Sequence, residues 1–189
     1  MDEIYVSTDI EADGPSPGHH SMLSFASVAF SLDRTIHSSF ERNLDLLPGA
    51  TQHPDTVRFW KTQPEAWDAC RKDPIEPAVA MQDYLGWLGV LPGDPIFVAH
   101  PVSFDYKFIS WYLYEFVGED PFRFSAVDMI SYAMAVLKRP WRESRSPYLP
   151  KEWFDLEHPH THKAMDDAVE HAFLFCSMVE ASGKAEQDD

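Results

Sequence analysis

The stretch IYVSTDIEA, residues 4 to 12, indicates the fold more clearly than any other part of the chain. Apolar residues alternate with polar ones along it, which predicts a strand over residues 4 to 10 with one face in a core. Side chains two residues apart leave a strand on the same face, so Asp9 and Glu11 point together, with Cα atoms about 6.6 Å apart. Such a pair can share hard cations, which prefer oxygen ligands. The alternative is a solvated acidic strand end.

The remaining elements are predicted outward from this strand. Two more strands, at 22–31 and 35–43, complete an antiparallel meander. Alternating helices and short strands follow, with helices predicted at 55–60, 65–71, 78–88, 105–117, 129–137 and 163–179 and strands at 96–99 and 124–128. Three strands followed by alternating elements indicate an α/β domain with a mixed five-stranded sheet flanked by helices.

A second acidic residue, Asp105, follows the short apolar strand at 96–99 in the sequence HPVSFD. Ligands of open α/β sheets usually bind outside the carboxyl ends of the strands, which is where Asp105 is expected. The alternative is that Asp105 only caps the helix that follows, a role that Asp fills well.

The third motif, HKAMDD, opens the last predicted helix with His162 and Asp167. A His in the loop before a helix can meet an Asp in its first turn, and His accepts a proton from water near neutral pH. Successive residues of a helix are rotated by about 100°, and this rotation predicts that Asp167 borders the apolar face of the helix. Asp166 is expected on a solvated stripe with Glu170. The alternative is an ordinary polar helix start.

Together the three motifs resemble those of the DEDDh (DnaQ-like) 3′→5′ exonucleases, which have the ribonuclease H-like fold. The resemblance spans residues 9 to about 175. It implies that Asp9, Glu11, Asp105 and Asp167 hold two Mg²⁺ or Mn²⁺ ions, with Asp9 bridging them, and that His162 is the general base. It also implies release of nucleoside 5′-monophosphates from the 3′ ends of RNA or single-stranded nucleic acid. Relatives are often homodimers, and no feature of this sequence decides whether this chain is one.

Substrate contacts are predicted at five positions. By resemblance, the backbone of Ile10 and Ala12 contacts the terminal nucleotide. Phe104 offers an aromatic face to a base, with burial in the core as the alternative. Arg139 and Arg142 belong to the one dense basic stretch and are expected to contact phosphates, unless that stretch is a solvated loop.

Two local features refine the resemblance. The sequence TVRFWKTQPEAW, residues 56 to 67, is similar to one branch of the family, which includes a mycobacterial-type exoribonuclease and phage exodeoxyribonucleases. Many relatives have Asn where this chain has Pro101. The sequence therefore does not decide whether this residue positions the substrate as it does in those relatives. The branch and the net charge favour RNA or short oligonucleotides, although the motifs do not separate RNA from DNA.

Composition sets the remaining expectations. The 189 residues, 44% of them hydrophobic, predict one domain over residues 1–183 and a disordered tail over 184–189. The two cysteines are too few for a disulfide scaffold, and no apolar run is long enough to span a bilayer, which favours a cytoplasmic protein without a membrane partner. A formal charge of −16 disfavours a large phosphate-binding surface and favours binding of only a short strand.

Two other functions stay open at this point. One is a non-catalytic nucleic-acid-binding module on the same fold. The other is a zinc-dependent phosphohydrolase, because His158, His160 and His162 alternate and an extended segment can present three such side chains to one zinc ion.

Overall fold

The computed structural model of the protein describes residues 3 to 185. It contains one mixed sheet with the order β3-β2-β1-β4-β5. Strand β1 pairs antiparallel with β2, which pairs antiparallel with β3, while β4 lies parallel to β1 and β5 parallel to β4. The strands are Glu3–Ala12 (β1), Met22–Phe30 (β2), Ile36–Asn43 (β3), Asp94–Ala99 (β4) and Ala126–Asp128 (β5).

Helices cover both faces of this sheet. They are Pro54–Trp60 (α1), Pro64–Cys70 (α2), Pro77–Leu88 (α3), Val102–Phe116 (α4), Met129–Leu137 (α5) and Ala164–Ala185 (α6). Three short 3₁₀ turns lie between α5 and α6, at Trp141–Glu143, Ser146–Tyr148 and Lys151–Trp153. This is the α/β, mixed five-stranded architecture that the order of the predicted elements indicated.

Strand β1 is central and sends alternate side chains to opposite helical layers. Val6 and Ile10 belong to the core cluster formed with α3 and α4, which includes Phe108. On the other face, the Tyr5 ring lies 5.4 Å from the ring of Phe175 in α6. Asp9 and Glu11 are in phase with Tyr5 and therefore face α6, as the alternation predicted.

The first turns of α6 approach the sheet closely. Ala164 and Ala168 are buried against Ala26 and Val28 of β2. Small side chains on both surfaces permit this approach, and it brings the amino end of α6 beside the carboxyl half of β1.

Some helix and strand boundaries differ from those predicted from the sequence. Strand β1 continues to Ala12, and α4 begins at Val102, three residues earlier than expected. Helix α6 includes residues 184 and 185, which the sequence assigned to a disordered tail, and residues 186–189 lie outside the described part of the chain. Cys70 and Cys176 are both free, as expected. None of the helices within residues 3–185 has the length and apolar character needed to cross a bilayer.

Candidate active site

Three carboxylates from β1 and α6 converge at the carboxyl end of β1. Asp9, Glu11 and Asp167 each offer an oxygen, and these oxygens lie within 4.8 Å of one another. Asp167 is 1% exposed and Glu11 9% exposed. Because hard divalent cations prefer carboxylate oxygens, this group fits such an ion.

A fourth carboxylate, Asp105, approaches from the first turns of α4. It is buried, and its Oδ1 accepts the backbone N–H of Ile10 at 3.2 Å. Helix α4 begins after Pro101, and Asp105 lies inside it. Asp105 is therefore attached to β1, and the alternative that it only caps α4 is wrong.

The loop before α6 is held by Asp167. Its two carboxylate oxygens accept the backbone N–H groups of Thr161 and His162, at 2.8 and 3.1 Å. Asp166 points elsewhere: it is exposed, and it accepts the Thr161 hydroxyl at 2.8 Å. The sequence-based assignment of Asp167 to the buried side of the helix is confirmed.

His162 lies at the edge of the carboxylate group in a left-handed backbone conformation, with φ of 58°. Its ring lies 4.5 Å from that of His160 and 5.1 Å from that of Phe59, both edge-on. Partial burial, and then the neighbouring His160, lower the pKa of His162. A lowered pKa keeps an imidazole neutral near pH 7, in the form that accepts a proton.

The carboxylates are electrostatically unfavourable to one another. Burial raises the pKa of Asp9 well above its usual range, and repulsion from Asp105 and Glu11 raises it further. Burial and then Asp167 do the same for Glu11, while burial raises the pKa of Asp105 to about 8. The pKa of Asp167 is also raised, chiefly by burial. Protons or cations must compensate this charge.

Comparison with known proteins agrees with this geometry. The exonuclease family model matches residues 6–175. A 3′-5′ DNA exonuclease from Escherichia coli, Cap18, is 31% identical over 194 residues, covering 98% of this chain and 97% of Cap18. The fold is similar to that of the nuclease domain of 3′hExo, a DEDDh family member solved with rAMP, at a TM-score of 0.71 and 11% identity over 94% of this chain and 92% of that one.

The chain belongs to the exonuclease family. A further solved structure, S. pombe Pop2p in a form with Mg²⁺ and Mn²⁺ bound, matches with a TM-score of 0.66 and 14% identity over 92% of this chain and 82% of that one. The ribonuclease H-like fold expected from the three motifs is thereby confirmed.

Of the substrate contacts predicted for this exonuclease, three lie near the carboxylates. Ile10 and Ala12 are on β1, and the Ala12 carbonyl accepts the Trp60 Nε1–H at 3.0 Å, which attaches α1 to the end of the strand. Phe104, one residue before Asp105, is partly buried against the α3–α4 core. Their contact with a nucleotide stays a prediction.

The two arginines lie elsewhere. Helix α5 begins beside the carboxyl end of β5 and runs away from it for nine residues, about 13 Å at 1.5 Å per residue. Arg139 follows the far end of α5, where its Nη1 contacts the Tyr148 carbonyl at 3.4 Å. Arg142 is exposed in the adjoining 3₁₀ turn. The structure does not bring these arginines to the carboxylates, and a binding measurement is needed to test the contact with phosphates that the sequence predicted.

Two residues of this exonuclease site were missed or misplaced by sequence reasoning. Glu170, expected in the solvated stripe with Asp166, is instead 8% exposed, and its Oε2 accepts Nδ1–H of His160 at 3.0 Å. His171 is 4% exposed, with Nδ1 3.9 Å from Oδ1 of Asp9. The sequence did contain a signal for both residues, because side chains three and four positions after Asp167 lie on its side of the helix.

The alternating histidines do not form the three-histidine zinc set that the sequence left open as an alternative. The His158 ring packs against Phe173 at 5.1 Å, away from the other two. Among the described residues, His160 and His162 share a potential metal group with Asp167, and His158 is in none.

Proposed function

We propose that this protein hydrolyses the terminal phosphodiester at the 3′ end of a single-stranded nucleic acid and releases nucleoside 5′-monophosphates. The observation that supports this proposal is the convergence of four buried or half-buried carboxylates, Asp9, Glu11, Asp105 and Asp167, beside His162. Membership of the exonuclease family, and similarity to Cap18, a 3′-5′ DNA exonuclease, support the same reaction.

The four carboxylates fit two divalent cations. Their raised pKa values mean that an empty cluster keeps protons that a metal would replace, and Mg²⁺ and Mn²⁺ suit an all-oxygen ligand set. Asp9, Glu11 and Asp167 are the proposed direct ligands, since their oxygens lie closest together. Asp105, attached to Ile10, supports the second ion.

His162 is the proposed general base. When bound, the two ions supply Lewis acidity for the attacking water and for the departing 3′ oxygen. His162 takes the proton from the water that attacks the terminal phosphorus. The bond from phosphorus to the 3′ oxygen of the penultimate nucleotide breaks, and solvent protonates that oxygen. Phe59 limits the freedom of the His162 ring by edge-on contact.

The proposal leaves open whether the substrate is RNA or DNA. The branch resemblance and the net charge favoured RNA or short strands. Cap18, which is 31% identical over nearly its whole length, carries the name of a DNA exonuclease and favours DNA. Both polymers therefore enter the test.

The test uses 5′-labelled RNA and DNA strands of one sequence, incubated with Mg²⁺, Mn²⁺ or EDTA. Stepwise shortening from the 3′ end with either ion, and none in EDTA, is expected. Asp9→Asn removes one ligand charge while nearly keeping the side-chain shape, so it should abolish shortening. Asp166→Asn is the matched control on an exposed carboxylate and should stay active. Undiminished shortening in EDTA, or by Asp9→Asn, would contradict the proposal.

A further inference from the structure

A second group of metal-ligand side chains lies beside the four carboxylates. His160, Glu170 and His171 each offer one ligand atom, and these atoms lie within 4.8 Å of one another. His160 Nδ1 and Glu170 Oε2 are 3.0 Å apart, close to the roughly 3.4 Å between ligand atoms of a tetrahedral zinc ion. His171 follows Glu170 on α6, while His160 comes from the preceding loop.

His171 supplies an independent indication of a ligand. It is 4% exposed, and its Nδ1 has no hydrogen-bond partner within residues 3–185. Buried polar atoms nearly always have a hydrogen-bond partner, and each exception requires an explanation such as a bound ion. The nearest ion-pair partner is Asp9, at 3.9 Å, which is too far for a hydrogen bond.

Local charge also favours a further cation. Asp9, Glu11, Asp105, Asp167 and Glu170 carry five negative charges when ionised, and the two proposed divalent ions supply four positive ones. One negative charge remains. Either a proton shared in the His160–Glu170 contact or another metal ion can compensate it.

We propose that His160, Glu170 and His171 bind a third metal ion of the kind that prefers imidazole, with Zn²⁺ as the physiological choice. Two imidazoles and a carboxylate are a frequent set of three protein ligands for zinc, whereas Mg²⁺ selects oxygen. His160 is 45% exposed in its side chain, so the site opens to solvent for entry of the ion. This set differs from the alternating histidines, because it uses His160 alone of those three.

The ion would attach the loop before α6 to the helix itself. His160 lies two residues before His162, so coordination of His160 restricts the segment that carries the proposed base. Binding to the native state alone also raises thermal stability. The metal site does not depend on the exonuclease proposal, since its ligands are different residues.

Co²⁺ is the probe. Metal-free protein in excess Mg²⁺, which occupies the all-oxygen site, is titrated with Co²⁺ and followed by visible absorption. A four-coordinate site with imidazole ligands absorbs far more intensely than a six-coordinate oxygen site. We expect one equivalent of intense absorption, which Zn²⁺ then abolishes by displacement. Zn²⁺ should also raise the melting temperature of the wild type.

Four variants make the result specific. His160→Gln, at a half-exposed position that leaves folding intact, and His171→Gln should both lose the intense absorption and the Zn²⁺-dependent shift in melting temperature. His158→Gln alters the same loop outside the cluster and should keep both. Asp105→Asn should keep the absorption while losing nuclease activity, which separates this proposal from the function of the carboxylates.

Two outcomes would overturn the proposal. One is a wild type that shows only weak, six-coordinate absorption in Mg²⁺, which would leave His160 only as an ion-pair partner of Glu170 and Asp167. The other is intense absorption that survives in both His160→Gln and His171→Gln.

Discussion

Asp167 accepts the backbone N–H of His162 at 3.1 Å, so the proposed metal ligand also holds the loop that carries the proposed base. The other oxygen of Asp167 accepts the N–H of Thr161. Ligand and base are therefore coupled through the backbone. A change at Asp167 disturbs both the metal site and the position of the imidazole.

Asp167→Ala should therefore reduce the rate by more than the roughly 10–100-fold typical of losing an outer partner of a metal ligand. Asp166→Ala should change it by about twofold or less, because surface substitutions usually alter free energies by only about 0.5 kcal/mol. Both rates are measured side by side at one Mn²⁺ concentration. An inactive Asp166→Ala beside an active Asp167→Ala would mean that the assignment of the last motif is shifted by one residue.

His162→Asn tests the general base without straining the backbone. His162 has a φ of 58°, a conformation that Asn tolerates better than Ala does. Loss of a general base should slow single-turnover cleavage by about 10²–10⁴-fold. The increase in melting temperature on adding Mn²⁺ should persist, since the imidazole is not a proposed ligand. A variant that cleaves at the wild-type rate would remove His162 from the mechanism.

The three short motifs were enough to predict which carboxylates lie together at the carboxyl end of β1, because each motif depends on local periodicity. Asp9 and Glu11 share a face by strand alternation, and Asp167 borders the apolar face of a helix. The start of α4 was placed too late because Asp105 was weighed as a helix cap. Its actual partner is the backbone N–H of Ile10, 95 residues away, and no local pattern reveals such a contact.

Glu170 was misplaced for a different reason. A charged residue was assigned to solvent by type, although it lies only about 60° around the helix from Asp167. Burial of Glu170 depends on His160 from the loop, whose position is set by the Asp167–backbone contacts. The roles of Arg139 and Arg142 were inferred from charge alone, which does not indicate the direction in which α5 runs.

The metal-free protein should become less stable as pH rises. Burial raises the pKa of Asp105 to about 8 in the folded state, whereas an unfolded Asp titrates near pH ~3.9. The folded protein then binds more protons than the unfolded one between these values, so the stability from protonated Asp105 is full below pH ~4 and is lost as pH rises through about 8.

Thermal melts in EDTA from pH 5 to 8.5 measure this effect. Asp105→Asn, which does not titrate, should show a weaker decline than the wild type. Mg²⁺ should stabilise the wild type more at pH 8 than at pH 5, because ligands must lose protons to bind it. Identical pH profiles for wild type and Asp105→Asn in EDTA would show that Asp105 is ionised in the folded protein.

Binding of single strands should depend only weakly on salt. The net charge of −16 leaves few basic side chains to contact phosphates, and each such contact contributes a slope of about −0.7 in log affinity against log salt. Affinity is measured with Ca²⁺ in place of Mg²⁺, on a short labelled strand at several salt concentrations. The Arg139→Ala/Arg142→Ala double variant should match the wild type, because α5 directs these arginines away from the carboxylates. A loss of about 1.4 in the slope of the double variant would instead place both arginines on the bound strand.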